Sequence, residues 1–202
     1  MIQTNKSNKL FHMVLTALLF AVIIALQFFG SAIKIGGTSF SFVLLPIVVG
    51  SIILGAGTGA FLGAVFGFMT LWAGISGQDF FTATLWHYEP VFTALVCMLK
   101  ATLAGLVPGL VWNALKGKNK VAAIFLASCA APIVNTGIFI VGGLLFFGEA
   151  LTTAGFLGEA SLVYFLVIGC AGINFIAEFG VNLIFAPAIS RIVQVFSNMF
   201  NK

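Results

Sequence analysis

Charged side chains are scarce in this sequence. Asp, Glu, Lys and Arg make up 7% of its 202 residues, whereas a soluble domain carries about 25%. Hydrophobic residues make up 61%, and the mean hydropathy is +1.18. A water-soluble protein of this length has too small an interior to hide that much apolar surface. The sequence therefore predicts an integral membrane protein.

Motifs for ATP hydrolysis and for catalysis are also missing. The sequence has no G-x-x-x-x-G-K-[ST] phosphate loop, no cluster of His, Cys and carboxylates with metal-ligand spacing, and no nucleophile beside an obvious base. Its three cysteines lie in apolar stretches, where small buried hydrophobes are more typical than disulfides. We therefore predict a protein that is not an enzyme and that holds no cofactor or metal of its own.

What is present is a series of apolar runs long enough to cross a bilayer, which takes about 20 residues. They predict one all-α membrane domain over residues 1–202 with six transmembrane helices. The expected helices are about 11–29, 40–54, 57–75, 90–115, 121–147 and 162–187. Residues 188–202 carry apolar side chains on one side, which predicts an amphipathic tail along the membrane surface.

The basic residues predict the orientation of this bundle, because Lys and Arg accumulate in cytoplasmic loops. With the N-terminus in the cytoplasm, seven basic residues fall on the cytoplasmic side and one, Lys34, falls outside. The seven are Lys6, Lys9, Lys116, Lys118, Lys120, Arg191 and Lys202. We therefore expect both termini in the cytoplasm, and we interpret "KGKNK" (116–120) as a cytoplasmic loop rather than a nucleic-acid site.

Small residues recur at every fourth position in two places. In "TALLFAVIIAL" (16–26), Ala17, Ala21 and Ala25 lie on one face of a helix. Such a flat face lets another helix approach closely, and the sequence alone leaves open whether that helix belongs to this chain or to another protein. A second row predicts ordinary helix contacts within the bundle and consists of Gly55, Gly59, Gly63 and Gly67.

Polar residues inside the predicted membrane helices are few, and in hydrocarbon such residues usually bind a ligand or join helices. Those we single out are Lys100, Thr102, Asn135, Thr136, Asn174, Glu178 and Asn182. At a rise of about 1.5 Å per residue, Lys100, Asn135 and Asn174 share one depth near mid-membrane if their helices pack together. They predict either a site for a small polar molecule or a ligand-free network in which Lys100 pairs with Glu178. The aromatic segment around Trp86 either marks the membrane interface or caps the site.

Four stretches, in this order, span almost the whole chain and resemble one family. They are "ALLFA" (17–21), "LLPIVVGSIILGAGTGAFLGAVFG" (44–67), "AAPIVNTGIFIVGGLLFFG" (130–148) and "NFIAEFGVNLIFAPAI" (174–189). The family is that of the substrate-binding membrane subunits, or S components, of energy-coupling factor (ECF) vitamin transporters. The alanine pair, the glycine-spaced helix, the Asn-Thr of the fifth helix and the Asn-Glu pair of the sixth carry the resemblance.

The resemblance implies a multi-pass protein of a prokaryotic cell membrane that works with a transmembrane coupling protein and two ATPase subunits. The alanine face of Ala17, Ala21 and Ala25 would dock on the coupling protein, and only the ATPases would use ATP. A vitamin would bind in an outward pocket of helices 4 to 6, with the loop "GSAIKIGGTSF" (30–40) as its lid. The implied substrate-binding residues are Lys34, Trp86, Lys100, Asn135, Thr136, Asn174 and Glu178.

Within this family the pattern is most similar to the pantothenate branch. Lys100 or Lys34 would meet the carboxylate of pantothenate, and Asn135 and Asn174 its amide and hydroxyls. The outer loops carry four carboxylates and one lysine, which does not help to attract an anion. Pyridoxine-type vitamins, hydroxymethylpyrimidine, cobalamin and folate stay open as substrates. A ligand-free membrane assembly protein and a stand-alone secondary transporter stay open as functions.

Overall fold

The computed structural model describes residues 2–30, 34–35, 38–39 and 42–200, and helices dominate them. The elements in chain order are α1 (Ile2–Gly30), β1 (Lys34–Ile35), β2 (Thr38–Ser39), α2 (Leu44–Ile53), α3 (Ala56–Ile75), α4 (Phe80–Tyr88), α5 (Pro90–Leu115), α6 (Lys120–Phe146), α7 (Gly148–Thr153), α8 (Leu162–Tyr164), a π-helical segment (Phe165–Gly172) and α9 (Ile173–Phe200). β1 and β2 pair in an antiparallel hairpin. The predicted all-α class is confirmed, with this small hairpin as an addition.

Five helical stretches of the described chain are long and apolar enough to cross a membrane. They are Lys9–Phe29, Ala56–Ile75, Pro90–Leu115, Lys120–Phe146 and Leu162–Val195. α2 is apolar but has only 10 residues, or about 15 Å, roughly half of the hydrocarbon core. The expected second helix, 40–54, therefore begins later, at Leu44. A helical bundle with several spans is confirmed, whereas the count of six and the cytoplasmic termini stay predictions.

Although it is short, α2 joins two parts of the hydrophobic core. Its first-turn residue Leu44 and the following Ile47 pack with Ile23 of α1. On its other side, Val48 packs with residues of α6 and α9. Pro46 lies in the first turn of α2, where a missing backbone N–H leaves no helical hydrogen bond unmade. α2 is thus a buried half-length helix at the centre of the bundle.

The backbones of α3 and α5 lie in direct contact through glycine. A Cβ built on Gly63 would collide with the carbonyl oxygen of Ala101, and one built on Gly67 would lie 2.7 Å from the carbonyl oxygen of Cys97. Gly59 is equally crowded by the α5 backbone. Small residues permit this close approach of helices in a membrane. The predicted internal role of the glycine row is therefore confirmed at Gly59, Gly63 and Gly67.

The first glycine of that row has a different role, because Gly55 lies in the turn between α2 and α3. Its φ of +104° is open to glycine but strained for other residues. Next to this turn, the hydroxyl of Ser51 donates a hydrogen bond of 2.6 Å to the carbonyl oxygen of Gly105. The turn and this hydrogen bond together hold α2 against α5.

Two short helices, α4 and α7, lie in segments that the sequence analysis took for outer loops. α4 begins after Asp79, whose side chain accepts a hydrogen bond of 3.2 Å from the backbone N–H of Thr82. A carboxylate at this position is a common helix N-cap. The buried side chains Phe81 and Leu85 pack against Phe147, beside the start of α7. α4 therefore covers one end of α5 and α6.

The last membrane segment begins at Leu162, as predicted, but it extends beyond its predicted end. It opens with the short helix α8, and the π-helical segment Phe165–Gly172 follows. This geometry is rare overall, but where it occurs it often lies near a functional site. The helix then continues through Pro187 to Phe200, because membrane helices tolerate proline. The predicted amphipathic tail, 188–202, is therefore not a separate element over the residues described. Ile189 within it is buried against the core.

Candidate binding site

A buried polar bridge joins α6 to α9. The Nδ2 of Asn135 donates to Oε2 of Glu178 at 3.5 Å, and the two side chains are only 6% and 3% exposed. One turn further along α9, the Nδ2 of Asn182 donates to the carbonyl oxygen of Glu178 at 2.8 Å. Asn174 lies one turn before Glu178 on the same face, because residues four apart on a helix align.

Lys100 of α5 adds a cation to this group. Its Nζ lies 5.4 Å from the centre of the Phe139 ring on α6, close enough for a cation–π interaction. Phe139 is one helical turn from Asn135 on α6, so Lys100 and Asn135 approach the same face of that helix. Lys100 and Phe139 thus join α5 to α6, and Asn135 and Glu178 join α6 to α9, in one polar cluster. The shared depth of Lys100, Asn135 and Asn174 stays a prediction.

Three side-chain oxygens of this cluster are buried acceptors with no hydrogen-bond partner. They are Oδ1 of Asn135, of Asn174 and of Asn182. The Nδ2 atoms of Asn135 and Asn182 face a carboxylate and a carbonyl, which fixes the orientation of both amides. An unpaired buried acceptor costs about 1 to 3 kcal/mol, so such groups in a native protein call for an explanation. The arrangement is suited to a molecule that brings hydrogen-bond donors.

A small cavity adjoins Lys100 beneath α4. Its volume is about 20 Å³, and its walls include Phe81, Thr82, Thr93, Lys100 and Phe139. This is room for about one water molecule. The hydroxyl of Thr93 is buried there without a partner. The sequence analysis missed Thr93, although it lies seven residues, or about two helical turns, before Lys100 and hence on the same face of α5.

The remaining predicted site residues are Trp86, Thr136 and Lys34. Trp86 lies on α4 but does not line the cavity, whereas Phe81, Thr82 and Leu85 of the same helix do. Thr136 follows Asn135 on α6 and is partly buried. Lys34 and the rest of the proposed lid, 30–40, lie outside the residues whose side chains are described. Within the described chain, no group of three or more His, Cys, Asp or Glu could hold a metal.

The alanine stripe on α1 faces away from the rest of the described chain. Ala17, Ala21 and Ala25 are all exposed, whereas Leu19 and Ile23 on the opposite side of α1 are buried in the core. Of the two alternatives that the sequence left open, contact with the described part of this chain therefore does not account for the stripe. The stripe is a flat face of small residues, which allows a helix of another protein in the membrane to approach closely.

Comparison with known families identifies the class of protein. The family described as "ECF transporter, substrate-specific component" matches residues 11–190, which include the polar cluster and the alanine stripe. The chain belongs to this family. It is therefore a transport protein of the cell membrane and not an enzyme, as the sequence resemblance implied.

The chain is also similar to one named transport protein. The chain is 26% identical over 200 residues to "Pantothenate transporter PanT" of Leuconostoc mesenteroides, and the match covers 93% of this chain and 94% of the relative. Because the similarity runs along both proteins, it relates the whole bundle rather than one segment.

Proposed function

We propose that this protein binds pantothenate in the cluster formed by α5, α6 and α9 and delivers it to an ECF module. The observation that carries the proposal is the set of three unpartnered amide oxygens on α6 and α9, together with Lys100 of α5 against the Phe139 ring of α6. Pantothenate has a carboxylate for the lysine, and hydroxyls and an amide N–H for the acceptors. The name of the Leuconostoc relative supports the same substrate.

The polar cluster favours an anion with several donors over the other vitamins considered. Pyridoxine and hydroxymethylpyrimidine have no carboxylate to pair with Lys100. Folate and cobalamin are much larger than pantothenate and would need a wider opening between the helices. Glu178 has a separate role in this proposal, because its carboxylate holds the Asn135 amide with Oδ1 free to accept.

Binding requires that the site widens. A cavity of about 20 Å³ holds no vitamin, since pockets for small molecules measure about 300 to 1,000 Å³. α4 is the short element above Lys100, and a glycine with φ +75°, Gly77, precedes it. Its displacement would open the cavity toward Thr93 and Lys100. We therefore assign α4 the role of a cover for the bound vitamin, together with the predicted lid 30–40.

Delivery in this proposal uses the alanine face. Ala17, Ala21 and Ala25 are exposed on α1, and they would meet helices of a transmembrane coupling protein that carries two ATPase subunits. Those subunits would supply the ATP hydrolysis for which this chain has no phosphate loop.

The test is a pair of ligands titrated into the purified subunit by calorimetry. Pantothenol replaces the carboxylate of pantothenate by an alcohol, so the two ligands differ at the group assigned to Lys100. Lys100→Gln should weaken pantothenate binding about 10- to 150-fold, the range for a hydrogen bond to a charged group, and should change pantothenol binding much less. Lys118→Gln, in the loop between α5 and α6, is the matched control and should change neither.

Two outcomes would contradict the proposal. Equal losses for both ligands in Lys100→Gln would mean that Lys100 does not meet the carboxylate. Tighter binding of pyridoxine, hydroxymethylpyrimidine, cobalamin or folate than of pantothenate to the unmodified subunit would show that the substrate is a different vitamin.

A further inference from the structure

A groove between α1 and α3 lies outside the proposed vitamin site. Its volume is about 710 Å³, within the range of about 300 to 1,000 Å³ found for ligand pockets. Its lining is almost entirely apolar and includes Phe20, Ile24, Gln27, Phe61, Phe68 and Trp72. The rings of Phe20 and Phe61 stack at 6.5 Å between their centres and join the two helices at one end of the groove.

One polar atom in this groove has no partner. The Oε1 of Gln27 is buried and accepts no hydrogen bond. Gln27 lies two residues before the end of the span Lys9–Phe29, or about 3 Å, and therefore near the boundary between hydrocarbon and head groups. Trp72, on the facing helix and 58% exposed, is of a residue type that concentrates at this boundary.

The length of the groove along α1 fits within one leaflet of the bilayer. From Gln27 to Phe20 along α1 the groove runs for seven residues, about 10 Å, whereas each leaflet contributes about 15 Å of hydrocarbon. The apolar part of the groove therefore faces acyl chains of the leaflet at the Gly30 end of α1. Gln27, which carries the unpartnered oxygen, lies close to the level at which the head groups of that leaflet begin.

We propose that this groove binds a membrane phospholipid, with an acyl chain between α1 and α3 and a head-group N–H or O–H donating to Gln27. A transmembrane helix of a partner protein fits less well. Its backbone N–H groups are already bonded within the helix, so it offers Gln27 no backbone donor. The groove lining contains no charged residue, so recognition depends on donors in the head group rather than on its net charge.

The experiment uses Trp72 as a reporter of the lipid in the groove. Trp86→Phe and Trp112→Phe leave Trp72 as the single tryptophan, and lipids with brominated chains quench tryptophan on contact. Brominated phosphatidylethanolamine and brominated phosphatidylcholine are compared in phosphatidylcholine vesicles, because both head groups are zwitterionic and only the first has N–H donors. Phosphatidylethanolamine should bind about fivefold more strongly, as expected for one ordinary hydrogen bond.

Two variants locate the effect. Gln27→Leu should abolish the preference for phosphatidylethanolamine while quenching by both lipids persists. Ala64→Phe, which fills the groove, should reduce quenching by both lipids. Val141→Phe adds the same ring at an exposed position on α6 and should change nothing. Because the groove is separate from the polar cluster, Gln27→Leu, Ala64→Phe and Val141→Phe should each leave the vitamin affinity equal to that of the parent protein with Trp72 alone, which also shows that each protein is folded.

Three results would overturn the proposal. The first is equal quenching by the two lipids in the protein that retains Gln27. The second is a preference that survives Gln27→Leu. The third is Ala64→Phe with unchanged quenching but lost co-purification with the coupling protein, which would assign the groove to a partner helix.

Discussion

Replacing Ala21 by tryptophan separates a docking face from an internal contact. Ala21 is exposed on α1, so the larger side chain meets only lipid in the isolated subunit. Surface substitutions usually change the free energy of unfolding by no more than about 0.5 kcal/mol. We therefore expect Ala21→Trp to leave the purified subunit folded, with its vitamin affinity unchanged.

The same substitution should act strongly on the complex. If a coupling helix approaches α1 through the alanine face, an indole at position 21 lies between the two backbones. Overpacking of a close contact costs about 1 to 3 kcal/mol, which lowers an association constant about 5- to 150-fold. Co-purification of the subunit with the coupling protein and its ATPases measures this loss directly, and ATP-driven uptake should fall with it.

Two further alanines serve as controls. Ala104 of α5 is 0% exposed, so Ala104→Trp should unfold the subunit and abolish vitamin binding as well. Ala122 is exposed on α6, so Ala122→Trp should affect neither assay. If Ala21→Trp behaved like Ala104→Trp, the stripe would be an internal contact. If it behaved like Ala122→Trp, the alanine face would have no part in docking.

Three other predictions test the site, the core and the topology. Asn174→Ala removes an unpartnered acceptor and should weaken pantothenate binding about 5- to 150-fold by calorimetry; an unchanged Kd would place the pocket elsewhere. Gly63→Ala should lower the thermal unfolding midpoint, because the added Cβ collides with the α5 backbone. Gly57→Ala is the control and should leave the midpoint unchanged, because its Cβ meets nothing within 4 Å. Equal midpoints for the two variants would contradict the glycine contact. An impermeant maleimide added outside should label Glu149→Cys and spare Lys118→Cys, and the reverse would exclude the predicted orientation.

The long helices were predictable because local signals mark both their interiors and their ends. α5 begins at Pro90 as expected, since proline favours the first helical position. α6 begins one residue from its predicted start, after Asn119, whose side chain accepts hydrogen bonds from two backbone N–H groups of the first turn. α4 was missed because its nine residues are too few to span a bilayer and hydropathy does not distinguish a short helix from an apolar loop.

The polar cluster was predictable in part, because helical spacing and depth are properties of the sequence. They placed Lys100, Asn135 and Asn174 at one depth, whereas the structure pairs Asn135 at 3.5 Å with Glu178, one turn beyond Asn174 on α9. They did not indicate which atoms pair, since that depends on how α6 and α9 rotate about their axes. Thr93 was missed for the same reason, because only the packing of the helices shows that it lines a cavity together with residues of α4 and Phe139.

The central claim is that the polar cluster of α5, α6 and α9 selects pantothenate. The most direct measurement is mass spectrometry of the small molecule that co-purifies with the subunit from cells supplied with all the candidate vitamins. The account predicts pantothenate with the unmodified protein and little or none with Asn135→Ala, which loses an unpartnered acceptor of the cluster. A different vitamin, or pantothenate retained in equal amount by Asn135→Ala, would contradict it.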